Sequence, residues 1–88
     1  MAEGETIEDK IRATISEVLA IPPGRTAAFT ANTPLFGALP EMDSMAVASL
    51  LTEMEERLGI YIEDEEVDAE MLETFGALVA FAERKIQK

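Results

Sequence analysis

Apolar side chains recur at three- and four-residue intervals in three separate stretches of this chain, each bounded by helix-start and helix-stop residues. Ile7, Ile11, Ile15 and Val18 form the first stripe, with Leu19 at its edge; this is the spacing of one helix face. Thr6 is placed to cap it, Glu8 and Asp9 suit its first turn, and Pro22-Pro23-Gly24 ends it. The second stripe is Val47, Leu50, Leu51, Met54 and Leu58, which fall together on a wheel of 100° per residue. Asp43 is a short carboxylate suited to the N-cap, and Gly59 is a natural stop. Met45, Ser49, Thr52, Glu53 and Glu56 fall on the opposite side of that helix. The third stripe, Phe75, Leu78, Val79, Ala82 and Ile86 with Phe81 beside it, follows Thr74 as cap. Arg84, Lys85 and Lys88 match the negative end of its dipole. The pattern predicts helices over about 6–20, 44–58 and 75–86.

The connections carry weaker signals. Residues 22–43 contain Pro22, Pro23, Gly24, Pro34, Gly37 and Pro40 and show no helix or strand period. A connection this long is uncommon in a small domain; Phe29, Leu35, Phe36 and Leu39 are the expected anchors to the core. After the extended run Ile60-Tyr61-Ile62, residues 68–73 predict a short third helix with Met71 and Leu72 facing in. Gly76 costs helix propensity, and its presence in the last helix points to a close approach or another packing need. The expected architecture is a single all-α domain spanning 1–88, with three longer helices, one short helix and a long first loop.

Composition narrows the chemistry. Apolar content of 48% argues for a folded core. With no Cys there are no disulfides and no protein thiol, and with no His a Ser-His-Asp or Cys-His site cannot be built. The net charge is −11, and all of the excess lies in residues 41–73, where 12 acids face the single base Arg57. Nucleic acid is a poor partner for such a surface, whereas a basic patch on another protein is a good one; acidity for solubility alone is the plainer alternative. The run from Glu63 to Glu70 raises calcium, but no Gly between Ile60 and Phe75 supplies the sharp turn of an EF-hand loop, so no dedicated metal site is expected. Met-Ala-Glu-Gly-Glu has neither a basic nor an apolar leader segment. The longest apolar run, Ala77 to Ala82, is far short of the roughly 20 residues of a membrane span. These features give the expectation of a free, cytoplasmic, monomeric protein.

The candidate chemistry sits at Leu39-Pro40-Glu41-Met42-Asp43-Ser44-Met45. Ser44 falls in the first turn of the second helix, at the end of the macrodipole that favours phosphate. A serine there is well placed to carry a phosphodiester. Asp43-Ser44-Met45 followed by an acidic helix resembles the D-S-L signature of acyl carrier proteins. The likeness extends through Leu50, Met54-Glu55-Glu56, Leu58-Gly59-Ile60, Ile62 and the acidic run to Thr74-Phe75-Gly76 and Leu78-Val79, nearly the whole chain.

That resemblance implies a four-helix carrier bundle without catalytic activity of its own. A phosphopantetheinyl transferase would attach 4′-phosphopantetheine from coenzyme A to Ser44, with Asp43 assisting through Mg²⁺ and cap contacts. The arm's thiol would hold acyl intermediates as thioesters for lipid, fatty acid or specialised metabolite biosynthesis. Loading ligases and acyl-transferring or condensing enzymes with basic docking patches would read Met45, Ser49, Glu53 and Glu56. Val47, Leu51, Met54, Ile62, Leu72 and Leu78 would line an acyl pocket, although the same residues serve as filled core.

There are departures. Common fatty-acid carriers have Leu after the serine and acids two and five residues beyond it; here Met45, Ala46 and Ser49 stand at those positions. Fewer charges near the attachment point favour a specialised carrier with its own loading enzyme. L-P-E-M-D-S-M is similar to carriers of exosortase-type polysaccharide clusters, and D-S-M also occurs in D-alanyl carriers. Beside these readings stands an acidic helical adaptor that never receives an arm. A small enzyme using Ser44 as nucleophile is disfavoured, because without His its base would have to be Lys10, Lys85 or Lys88, all distant in sequence.

Overall fold

The computed structural model describes residues 6–87. Its elements are α1 (Ile7–Leu19), a one-turn α2 (Pro23–Thr26), α3 (Ser44–Leu58), two 3-10 turns (Asp64–Glu66 and Glu70–Leu72) and α4 (Phe75–Gln87). This is an all-α bundle of three longer helices, a short helical segment before the last one, and a long first connection. Its one β-type pairing among the described residues is an isolated bridge between Pro34 and Thr74. α1 packs along α3, and α4 packs on α1 and on the Glu70–Leu72 turn.

The helix ends follow from local chemistry. Thr6 accepts the Asp9 amide through its hydroxyl at 3.1 Å, starting α1. At the other end of α1 the sequence pattern placed the stop at Pro22-Pro23-Gly24. The helix itself ends at Leu19, within a residue of the expected bound of about 20, where Ala20 adopts a left-handed conformation (φ 57°) and returns its amide to the Ser16 carbonyl. Ile21 N–H joins the same carbonyl at 2.9 Å, and the two prolines then open α2, Pro23 serving as its first residue. α3 ends at Gly59, also left-handed (φ 67°). Over 68–73 the helical segment shrinks to Glu70–Leu72: Asp68 turns its carboxylate onto the Met71 amide at 3.0 Å and acts as a cap.

Ile11, Ile15, Leu50, Met54, Leu78 and Ala82, all wholly buried, form the centre of the core. Burying each of the isoleucine, leucine and methionine side chains contributes about 1.5–3 kcal/mol. The long connection is stitched to the start of α4 by backbone hydrogen bonds: Leu35 N–H to Glu73 O (3.0 Å), Phe36 N–H to Leu72 O (3.0 Å), Phe75 N–H to Thr33 O (2.8 Å) and Gly76 N–H to Ala31 O (3.0 Å). Phe29 meets Phe75 edge-on at 5.7 Å. Arg12 lies over the Phe75 ring at 4.9 Å and donates to the Phe29 carbonyl at 2.9 Å. Of the four expected anchors, Phe29 and Leu35 are buried and Leu39 half-buried, but Phe36 is 46% exposed. Leu35 enters the core just before the turn over residues 36–38, and Phe36, at the start of that turn, stays on its outer side. Met42, 4% exposed, supplies the further anchor.

Candidate functional site

The connection delivers the chain to α3 through a series of short-range contacts. Leu39 and Ala38 donate their amides to the Leu35 carbonyl at 2.9 and 3.0 Å, and Met42 donates to Leu39 at 3.0 Å. Buried Met42 pins the segment one residue before Asp43. Beside it, Arg25 of α2 bonds the Glu41 carboxylate at 3.1 Å, tying the two ends of the connection together. The Glu41 carboxyl is held below its ordinary range, first by its own backbone amide and then by the Arg25 guanidinium.

Asp43 is extended (φ −97°, ψ −175°) and accepts the Ala46 amide at 2.8 Å through Oδ1. Its carbonyl takes the Val47 amide at 2.9 Å. Ser44 is therefore the first residue of α3, and it is exposed. The amides of Ser44 and Met45 find no acceptor among the described residues. An open hydroxyl at a helix N-terminus with amides left over suits a phosphodiester sterically and electrostatically.

Ser44 also stands on the edge of an open groove of about 490 Å³ between α3 and residues 62–67, lined by Val47, Ala48, Leu51, Thr52, Glu55, Ile62, Asp64 and Val67. The Glu55 carboxylate braces its far wall by accepting the Ile62 amide at 2.7 Å. Three of the six pocket residues expected from sequence, Val47, Leu51 and Ile62, come together here. Met54, Leu72 and Leu78 do not; they are packed in the core, 0 to 4% exposed. Ala48, Thr52, Glu55, Asp64 and Val67 were not foreseen: Ala48 and Thr52 are exposed on α3, and Asp64 sits in a turn without periodicity. Of the expected partner-facing residues, Met45, Ser49 and Glu56 are exposed and Glu53 is half-buried.

Other grooves lie away from Ser44. One of about 830 Å³ runs between residues 65–71 and α4, where Lys85 bonds both carboxylate oxygens of Glu66 at 2.8 and 3.0 Å. Another, about 470 Å³, separates α1 from α3. No described helix is long and apolar enough to cross a membrane. Among the described residues, no three carboxylates converge as a cation cage.

The model of the family described as "Phosphopantetheine attachment site" matches residues 9–82. The chain is also similar to a holo acyl carrier protein from Nitrosomonas europaea, solved by solution NMR. The TM-score is 0.85 with 34% sequence identity, covering 96% of this chain and 99% of that one. No curated protein matches this chain. With the family match over most of its length and a carrier fold throughout, this chain belongs to the phosphopantetheine attachment family, whose prosthetic group is a covalently attached 4′-phosphopantetheine.

Proposed function

We propose that Ser44 carries the arm and that the protein holds acyl intermediates on it as thioesters for partner enzymes. The observation that carries this reading is the exposed Ser44 hydroxyl at the first position of α3, beside a groove that begins at the same residue. The bound group supplies the terminal thiol that a chain without cysteine lacks. This chain's own residues position and present it. Asp43 fixes the first turn of α3 through its bond to Ala46 and offers its remaining carboxylate oxygen to a transferase-bound Mg²⁺. Val47, Leu51 and Ile62 give the groove an apolar floor for the proximal part of an acyl chain.

A transferase using coenzyme A installs the arm; a loading ligase and acyl-transferring enzymes then meet the face formed by Met45, Ser49, Glu53 and Glu56. The excess negative charge of residues 41–73 attracts basic partner surfaces over distance. Ala46 and Ser49 support a dedicated loading enzyme rather than the common fatty-acid machinery, because the resemblance implies acids at those two positions. Incubating the protein with coenzyme A, Mg²⁺ and a broad-specificity phosphopantetheinyl transferase, followed by intact mass, tests the assignment. One arm per chain is expected for the wild type and none for Ser44→Ala; equal modification of both would refute it.

A further inference from the structure

The two walls of the groove beside Ser44 are built differently. One is α3, whereas the other, residues 62–67, holds only the 3-10 turn Asp64–Glu66. The amides of Glu66 and Val67 bond back to the Glu63 and Asp64 carbonyls at 2.9 and 3.2 Å, within the segment itself. Open space lies on both sides of it. Asp64 and Val67 line the groove of about 490 Å³ that begins at Ser44, while Glu65 and Glu66 line the groove of about 830 Å³ against α4. A short irregular segment between two grooves keeps its place only through the side chains that tie it.

Both flanking helices supply such ties. Glu55 of α3 accepts the Ile62 amide at 2.7 Å and fixes the start of the segment, where Ile62 is itself buried. Lys85 of α4 grips the far part, bonding both carboxylate oxygens of Glu66 at 2.8 and 3.0 Å. Glu66 Oε1 also accepts the Glu63 amide at 3.0 Å, so the ion pair holds the group that closes the turn. The Lys85 side chain is only 18% exposed, which shelters the pair from the solvent screening that weakens surface ion pairs.

Resting on the reading of Ser44 as the attachment point, we infer that Lys85 is a positioning residue for the loaded acyl chain. From α4 it holds residues 62–67 at a set separation from α3, so the groove stands formed before a chain enters. A long chain is then sheltered without first having to order the wall that covers it. An acetyl group, too short to run along the groove, is indifferent to Lys85.

A broad-specificity transferase with dodecanoyl- or acetyl-coenzyme A loads the full chain, and hydroxylamine cleavage of each thioester is timed by intact mass. The wild type is compared with Lys85→Met, Lys85→Arg, Glu66→Gln and the double variant of Lys85→Met with Glu66→Gln. Glu66→Gln keeps an oxygen for the Glu63 amide while removing the charge that Lys85 pairs. Arg12→Ala serves as a destabilised control away from the groove, and thermal melts confirm that each protein is folded. Lys85→Met is expected to speed cleavage of the dodecanoyl thioester about two- to fivefold, the shift that one ion pair supplies, and to leave the acetyl thioester unchanged. Lys85→Arg should keep the wild-type rate, and the double variant should match Lys85→Met rather than add to it. An unchanged dodecanoyl rate in Lys85→Met, equal acceleration of both thioesters, or the same acceleration in Arg12→Ala overturns the inference. Failure of the wild type to take any acyl arm would instead remove the reading of Ser44, and this inference with it.

Discussion

Gly76→Ala puts the joint between the long connection and α4 under direct strain. An added Cβ would lie 2.7 Å from the Ala31 carbonyl oxygen, 2.8 Å from Ala31 Cβ and 2.9 Å from Ala31 Cα. These are backbone atoms or fixed to the backbone, so no side-chain rotation relieves the contact. Either α4 or residues 31–36 must move, at the expense of the hydrogen bonds Gly76–Ala31 and Phe75–Thr33 at 3.0 and 2.8 Å. Overpacking against atoms that cannot turn away belongs at the upper part of the usual range, about 2–3 kcal/mol. Alanine returns up to about 1 kcal/mol of helix propensity, leaving a net loss of about 1–2 kcal/mol. For a domain of this size that lowers Tm by about 5–15 °C. Urea and thermal unfolding followed by circular dichroism measure it, with Gly24→Ala as the contrast. Nothing lies within 4 Å of a Cβ at Gly24, so that variant should match or exceed wild-type stability. A Gly76→Ala protein as stable as wild type would show that the joint is not rigid and refute the reasoning.

Three other perturbations follow from the same geometry. Asp43→Ala removes the bond to the Ala46 amide and should cost about 1 kcal/mol in urea unfolding, while Asp43→Asn should retain most of it. The folded Glu41 carboxyl titrates below its ordinary value of 4.5, so its stabilising effect is complete above that value and is lost as pH falls through the lowered pKa. An NMR titration should place Glu41 below 4.5 and show a partial rise in Arg25→Gln, partial because its own amide is the larger cause. Arg12→Ala loses the hydrogen bond to the Phe29 carbonyl and the stacking on Phe75 and should destabilise by about 1–3 kcal/mol; an unchanged urea midpoint would contradict that.

The three longer helices were legible because their stripes and caps agree. Thr6, Asp43 and Thr74 all cap as their residue types suggest; Thr74 accepts the Ala77 amide at 3.1 Å. The extent of α1 was legible too, but not the means of its closure, since nothing local marks Ala20 as left-handed; there two amides share the Ser16 carbonyl. Between α3 and α4 the short helical segment with Met71 and Leu72 facing in was legible, but neither its exact extent nor the turn Asp64–Glu66 was, because Asp68 reads equally as a helix member or a cap.

At the candidate site, the sequence singled out Ser44 and Asp43, while the pairings that surround them join residues far apart in the chain. Arg57 with Glu17 and Arg25 with Glu41 leave no trace in periodicity. The groove shows the same limit. Val47 and Met54 share a helical stripe, but only the former reaches the open side, and a wheel does not distinguish a groove wall from the core behind it.

The central claim is the attachment of the arm to Ser44, and peptide mapping after transferase treatment tests it most directly. Cleavage after Arg25 and Arg57 releases residues 26–57, which hold two of the chain's serines, Ser44 and Ser49, while Ser16 falls in another peptide. Fragmentation of the modified 26–57 peptide should place the phosphopantetheine on Ser44. The arm on Ser49 or Ser16, with Ser44 bare, would contradict the account.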